Sequence, residues 1–358
     1  MTIKRKMKKQ TANKLLCLLL AALLLAGQVL PALALNQEGG TITIATAEDL
    51  KELAIQCTLD SWSQGKTVVL TDDINLSGSG FTPIPTFGGT FDGQGHTISG
   101  LTITGSGNTR GLFRYVQQGA VVQNLTVKAS VGPSDRKNEV AAIAGSNSGI
   151  IRQCAAQGGV KGGDSVGGVV GVNELTGQVI NCTFSGSVTG EHYVGGIAGR
   201  NLGSLIQCRN SGSVNTTEVE TEKDLPNVDW EQLNSAENMP ASTDIGGIAG
   251  QSSGVIRACM NRGTVGYQHM GYNVGGIAGS QTGYIEGCVN YGTVYARKES
   301  GGIVGQMEPS STLQYTKDTL QELSEEMTTL QALVDRACDD ASAASSDLSN
   351  QLHNLQNS

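Results

Sequence analysis

The chain has 358 residues, enough for two domains, and only 4% of them are aromatic while 49 are glycine. This composition argues against a globular core built from large rings and favours short strands separated by glycine. The formal net charge of −8 argues against nucleic acid as a partner, because phosphate binding requires a basic surface.

Residues 1–34 have the pattern of a secretory signal peptide. A lysine-rich start precedes an apolar run from Leu15 to Ala26, and Ala32-Leu33-Ala34 offers small residues at the two positions that determine cleavage. The apolar run is short for a membrane span, so an uncleaved anchor is the less favoured alternative. Cleavage would remove six basic residues and no acidic ones, leaving 18 Lys and Arg against 32 Asp and Glu. We predict an acidic, secreted or cell-surface chain, exported by a Sec-type signal, with no membrane span in its mature form.

Residues 35–125 are expected to form an N-terminal cap and the first coils of a repeat structure. Residues 41–44 predict a short strand, and Thr46 with Asp49 resembles a capping box at a helix start. Four residues then share one face of that helix: Leu50, Leu53, Ala54 and Cys57. Such a helix is expected to close the open end of the repeats that follow.

One phrase recurs five times between residues 149 and 294. It reads Gly, one residue, a β-branched or Leu residue, two residues, Cys, three residues, Gly, one residue, Val. A second phrase, such as Gly246-Gly247-Ile248-Ala249-Gly250, accompanies each copy. A fixed period of this size predicts stacked copies of one small unit. The cysteines of the five copies are Cys154, Cys182, Cys208, Cys259 and Cys288.

Each unit contains three short apolar segments separated by Gly, Asn or Ser. They are too short for ordinary helices and suit strands of three or four residues. One unit therefore predicts one coil of a parallel β-helix, over residues 126–306, in which equivalent residues stack about 4.8 Å apart. The Ile, Val and Cys columns then become continuous inward ladders.

The cysteine column is interpreted first as five small buried hydrophobic side chains in the core. Disulfides between adjacent coils are an alternative, but five is an odd number and stacked side chains point the same way. Metal binding is a third interpretation, and it needs tetrahedral clustering, often with histidine, whereas no His recurs with the cysteines. We expect neither a metal nor a cofactor.

At this point the chain resembles a known family. The phrases Asp72-Asp73-Ile74-Asn75-Leu76 and Gly89 to Ile98, followed by Gly111-Leu112-Phe113 and repeated Gly-Gly-Ile-Ala-Gly, are similar to bacterial surface proteins with GLUG motifs. The resemblance covers about residues 40–306. It implies a right-handed parallel β-helix on exported proteins, some of which act in adhesion and some of which carry a metallopeptidase elsewhere. The zinc signature His-Glu-x-x-His of such an enzyme is absent from this sequence.

Two segments depart from the repeat. Residues 215–244 interrupt the ladder with an acidic insertion, which is interpreted as solvated decoration or, as the alternative, as a binding loop. The residues of that possible binding loop are Trp230, Glu218, Glu220 and Glu222. From about residue 312 to residue 358, apolar residues at intervals of seven predict a heptad helix able to pair with itself or with another helix. The absence of a stop signal suggests that the sequence is part of a longer protein.

No set of catalytic residues emerges. Asp92 and His96 are the most tempting acid/base pair, but in this phrase they are interpreted as hydrogen-bonding a tight turn. The leading hypothesis is a non-catalytic solenoid that acts as an adhesion, binding or stalk module for an unknown protein or glycan ligand, with possible self-association through the helix. The alternatives are a β-helix enzyme that acts on polysaccharide, or the non-catalytic N-terminal part of a larger surface peptidase.

Overall fold

A computed structural model describes residues 35–216, 242–308, 326–338 and 342. The predicted signal peptide lies outside the described residues. The chain divides into two units, residues 1–308 and 309–358, and each is treated by itself.

The first unit is a parallel β-solenoid built from four sheets, as the repeat predicts. Sheet I contains β1 (Asn36–Glu38), β2 (Thr41–Ile44), β3 (Thr67–Leu70), β6 (Thr90–Asp92), β9 (Val121–Gln123), β12 (Ile150–Arg152), β16 (Gln178–Ile180), β20 (Ser204–Ile206), β25 (Val255–Arg257) and β29 (Tyr284–Glu286). Its first pair, β1 with β2, is antiparallel, and the strands from β2 to β29 are parallel to their neighbours. The described residues therefore form nine coils.

Sheets II and III continue the second to ninth coils after sheet I. Sheet II contains β4 (Ile74–Asn75), β7 (Thr97–Ile103), β10 (Thr126–Val131), β13 (Ala155–Lys161), β17 (Thr183–Thr189), β21 (Arg209–Asn210), β26 (Met260–Asn261) and β30 (Val289–Asn290), and β22 (Ser213–Val214) also pairs with β17. Sheet III contains β5 (Ile84–Phe87), β8 (Phe113–Val116), β11 (Ala144–Asn147), β15 (Val170–Asn173), β19 (Ala198–Asn201), β24 (Ala249–Ser252), β28 (Ala278–Gln281) and β32 (Val304–Met307).

A fourth sheet appears only in the later coils, where the sequence predicts three strands per unit. Sheet IV contains β14 (Asp164–Gly167), β18 (His192–Gly195), β23 (Thr243–Gly246), β27 (Tyr272–Gly275) and β31 (Lys298–Gly301). The phrase Gly-Gly-Ile-Ala-Gly is therefore a corner between a strand of sheet IV and a strand of sheet III rather than a single strand.

Close backbone contacts explain the glycines of that corner. A Cβ atom on Gly246 would overlap the carbonyl oxygen of Ala249 within the same corner. A Cβ atom on Gly250 would overlap the backbone of Tyr193, which lies in the left-handed region at φ 56°. Only glycine fits both positions, and this requirement repeats from coil to coil.

Helix α1 (Ala47–Gln56) joins β2 to β3 and contacts β5, the terminal strand of sheet III. Thr46 accepts a hydrogen bond from the backbone of Asp49, whose side chain accepts one from the backbone of Thr46, so the predicted capping box is present. Leu50 and Leu53 are fully buried in the core cluster.

The acidic insertion does not shift the register of the coils that flank it. Residues 217–241 lie outside the described residues. On either side, Arg209 still pairs with Met260, and Val214 with Val265. Strand β23 already begins at Thr243, so the insertion ends earlier than the sequence suggests.

In the second unit, residues 326–338 are helical, and the rest of the predicted helix over 312–358, apart from residue 342, lies outside the described residues. The heptad pairing therefore stays a prediction. Across the described part of the chain, no helix has both the length and the apolar character needed to cross a membrane.

Candidate functional site

The repeated cysteines occupy the corner between sheet I and sheet II. Cys154, Cys182, Cys208 and Cys259 are buried, and Cys288 in the last coil is half-buried. The residue before each cysteine has a left-handed backbone, from φ 49° at Asn181 to φ 61° at Gly287. This single left-handed residue turns the backbone from sheet I into sheet II, and the thiol that follows it lies inside the coil.

Leu125 is the base of this column, and the cysteine phrase does not reveal it. The backbone N–H of Ala155 donates to Leu125 O at 2.8 Å, just as the N–H of Thr183 donates to Cys154 O at 2.9 Å. Leu125 is also preceded by a left-handed residue, Asn124, at φ 53°. Leu125 is therefore recognised by its position in the corner, whereas its side chain differs from the cysteines above it.

The thiols of the ladder bond to backbone carbonyl groups. Cys208 Sγ donates to Val179 O at 3.3 Å in the preceding coil and lies 3.5 Å from Ile206 O in its own coil. Among the described residues, no disulfide joins these cysteines. Burial raises the pKa of the Cys182 thiol well above its usual value, and contact with the Cys208 thiol raises the pKa of Cys259. A protonated, buried thiol is a poor nucleophile and a poor metal ligand.

Two further ladders of hydrogen-bonded side chains run along the solenoid, and the sequence interpretation missed both. In the first, Asn147 Nδ2 donates to Asn173 Oδ1 at 2.9 Å, Asn173 Nδ2 to Asn201 Oδ1 at 2.8 Å, and Asn201 Nδ2 to Ser252 Oγ at 3.0 Å. All four side chains are buried at the end of sheet III strands. Each bond replaces water for a buried polar group, so the column costs little desolvation.

The second amide ladder lies in sheet II, two residues after the last three repeat cysteines. Asn210 Nδ2 donates to Asn261 Oδ1, and Asn261 Nδ2 donates to Asn290 Oδ1, both at 2.9 Å. Each Asn also exchanges hydrogen bonds with the glycine two residues later, as Asn261 does with Gly263. The phrase Cys-x-Asn-x-Gly, visible in the sequence, is the signal that could have predicted this ladder.

Asp92 and His96 make hydrogen bonds to different partners. Asp92 accepts hydrogen bonds from Gln94 N at 2.9 Å and from the side chains of Gln123 and Asn124 at 2.7 and 3.1 Å. Partial burial opposes ionisation, but these hydrogen bonds outweigh it and lower the pKa of Asp92. His96 Nδ1 lies 3.3 Å from Asp73 Oδ1 instead. The turn interpretation of Asp92 therefore fits its contacts.

An open groove of about 480 Å³ runs along the cysteine corner of the early coils. We call it the corner groove. Uncharged residues of four successive coils line it: Gln94, Gly95, Asn124, Leu125, Thr126, Gln153, Cys154, Ala155 and Thr183. Across the described residues, no group of three or more His, Cys, Asp or Glu is placed to hold a metal ion. The proposed loop residues Trp230, Glu218, Glu220 and Glu222 lie outside the described residues.

Comparisons with known proteins agree with this architecture. The family described as "The GLUG motif" matches residues 162–189 and 190–215, so the recognition of GLUG repeats is confirmed. Halomucin from Haloquadratum walsbyi (strain DSM 16790 / HBSQ001) is 42% identical over 125 residues, which is 31% of this chain and 1% of halomucin.

A solved structure supports the fold. The crystal structure of a "putative immunoglobulin A1 protease" from Bacteroides ovatus superposes with a TM-score of 0.50 at 18% sequence identity, covering 75% of this chain and 83% of that one. At that identity the likeness shows the fold alone.

Proposed function

We propose that this GLUG-motif β-solenoid is a non-catalytic, secreted or cell-surface bacterial protein that acts as a stalk or binding module. One observation carries the proposal: the inward positions that repeat in register are held by carbonyl-bonded thiols and paired amides, which stabilise a coil and leave no reactive group. The match to halomucin and the GLUG motifs support a structural role. The surface location rests on the signal-peptide pattern of residues 1–34.

Two finer features belong to the same proposal. The solenoid is right-handed, as in the family it resembles, and α1 closes its N-terminal end. The second point is supported by Leu50 and Leu53, which cover the core where sheet III begins. A closed end protects the edge strands from pairing with other chains.

The test has a location arm and an activity arm. The full gene is expressed in a bacterial host, and the exported product is located by surface proteolysis and by N-terminal sequencing, which is expected to begin at residue 35. The purified protein is then incubated with neutral and acidic polysaccharides and with immunoglobulin A1. We expect export and no turnover. Retention in the cytoplasm would refute the surface role, and cleavage of any of these substrates would refute the non-catalytic role.

A second candidate function is the non-catalytic N-terminal part of a larger surface peptidase. It rests on the name of the Bacteroides ovatus structure, which describes a protease, while the likeness at 18% identity supports the fold alone. The coding sequence after codon 358 distinguishes the two, because this candidate requires a peptidase domain in the same reading frame.

A further inference from the structure

We propose that the corner groove binds an uncharged oligosaccharide lying along the solenoid axis, with about one sugar residue per coil. The inference rests on the proposed function as a binding module and gives it a site and a ligand class. Stacked coils are about 4.8 Å apart, close to the length of one sugar residue in an extended glycan chain. The groove spans four coils, from Gln94 to Thr183, and therefore offers room for three or four sugars.

The chemistry of the lining matches a neutral sugar chain. Side-chain amides of Gln94, Asn124 and Gln153 present both donors and acceptors, and the hydroxyls of Thr126 and Thr183 do the same. Sugar hydroxyls need such two-way partners. Of the apolar residues in the lining, Leu125 and Cys154 are buried in the core and Ala155 is half-buried, so a sugar would bind mainly through the amides and hydroxyls.

The backbone that carries the three amides is fixed before any ligand arrives. Gln94, Asn124 and Gln153 have left-handed backbones with φ of 51°, 53° and 54°, so the coils present them in the same orientation. Asp92 also bonds the backbone of Gln94 and the side chain of Asn124. Pre-organised polar groups lose less side-chain entropy on binding.

The same contacts disfavour a peptide ligand. A peptide that joins a sheet needs unpaired backbone groups at an edge. Here the backbone N–H groups of Ala155 and Thr183 already donate to the preceding coil, at 2.8 and 2.9 Å, and the N–H of Gln153 donates to Ile180 O at 3.0 Å. No Lys or Arg lines the groove, so phosphate polymers lack the cations they require.

The chain supplies a matched control for the groove. Gln207 is also an exposed amide with a left-handed backbone, at φ 55°, directly before a repeat cysteine, but it does not line the groove. Gln153→Gly and Gln207→Gly therefore remove the same side chain from equivalent corners, and glycine tolerates the backbone of both.

The experiment measures binding by the full mature chain with isothermal calorimetry. The probes are cellohexaose, mannohexaose, xylohexaose and maltohexaose, with hexagalacturonate and a proline-rich peptide as charged and peptidic comparisons. We expect at least one neutral hexasaccharide to bind, and its affinity to fall at least tenfold in Gln153→Gly and in Thr126→Val. Gln207→Gly should bind like the original chain, and circular dichroism should show that all three variants fold.

Several results would overturn the proposal: no binding of the four neutral probes, tighter binding of hexagalacturonate or of the peptide, or equal affinity in Gln153→Gly and Gln207→Gly. If Thr126→Val fails to fold, Thr183→Val replaces it, because Thr183 is exposed and lines the same groove. Failure here leaves the export and turnover measurements unaffected, so loss of the groove and loss of the proposed function are distinguishable.

Discussion

The first coils and the later coils fill the same solenoid in different ways. Near the N-terminus, Phe87, Phe91 and Phe113 pack ring against ring, with centroids 5.3–6.0 Å apart. In the later coils the inward columns are cysteines and asparagines that repeat from coil to coil. Three large rings can fill the interior of the first coils without any sequence repeat. Small side chains fill the interior of the later coils only because each coil supplies one at the same position.

This difference has an energetic consequence. The ring cluster is a local apolar core whose stability depends on buried area. The ladders are cooperative, because Asn261 bonds to the coil before it and the coil after it, and each thiol donates to a carbonyl of the coil before it. Damage to one ladder position should therefore disturb the neighbouring coils, while damage to a ring should leave a local cavity.

The largest effect is expected from a charge placed inside the ladder. Cys208→Arg buries a cation among thiols and aliphatic side chains with no carboxylate ladder beside it, which should cost about 4 kcal/mol or more of unfolding free energy. The measurement is the midpoint of thermal unfolding followed by circular dichroism. Gln207→Arg, one residue away and exposed, is the control and should change the midpoint little. An unchanged midpoint in Cys208→Arg would contradict the stacked coil itself.

Truncation of a ring tests the other region. Phe113 is fully buried and contacts both other rings, so Phe113→Ala should lower the unfolding free energy by about 3–5 kcal/mol through lost burial and a residual cavity. Tyr115→Ala, two residues later on the same strand and 41% exposed, should cost far less. Equal losses from the two variants would mean that the ring cluster does not anchor the first coils.

Removing an amide from the ladder should lower the unfolding free energy less than removing a ring, but more than the size of the side chain suggests. Asn261→Ala removes the hydrogen-bond partner of Asn210, of Asn290 and of the Gly263 N–H. It should destabilise the chain by about 2–3 kcal/mol, because buried polar groups are left without a hydrogen bond. Asn290→Ala in the last coil, where the side chain is half-buried, should cost about 1 kcal/mol. Chemical denaturation of both variants tests this order, and a larger loss at Asn290 would show that the ladder is not cooperative.

The sequence predicted the coil and its register because those features repeat. The cysteine columns, the capping box of Thr46 and Asp49, and the buried face of Leu50 and Leu53 all follow from spacing alone. The ring cluster was not predictable, because its three residues share no period with the later repeats.

Other features escaped for different reasons. Sheet IV was missed because its strands carry few apolar residues. In His192–Gly195, for example, Val194 is the one large apolar side chain that is buried. The amide ladders were missed because asparagine is typical of turns, so its presence in each repeat was interpreted as a turn signal and not as a buried column. The corner groove exists only between coils, so no single repeat contains it.

The smallest effect concerns pH and contrasts a solitary thiol with the stacked ones. Cys57, at the end of α1, is buried, and desolvation raises the pKa of its thiol from 9.0 to about 12. The folded state therefore holds this proton more tightly than the unfolded state. The resulting stability is fully present below about pH 9 and is lost as the pH rises from 9 towards 12. At pH 10 the loss is about 1 kcal/mol, since one pKa unit corresponds to about 1.4 kcal/mol.

Denaturation midpoints at pH 7.5 and pH 10 measure this loss in the original chain, in Cys57→Ala and in Cys338→Ala. Cys57→Ala should be less sensitive to alkali than the original chain, whereas Cys338→Ala, which removes an exposed thiol, should match the original chain. The ladder thiols remain in all three proteins, so any alkaline loss that survives in Cys57→Ala measures what the ladder thiols and the tyrosines contribute. If Cys57→Ala loses as much stability as the original chain, the thiol under α1 is not held in its neutral form by burial, and the first coils respond to alkali only through the groups they share with the later ones.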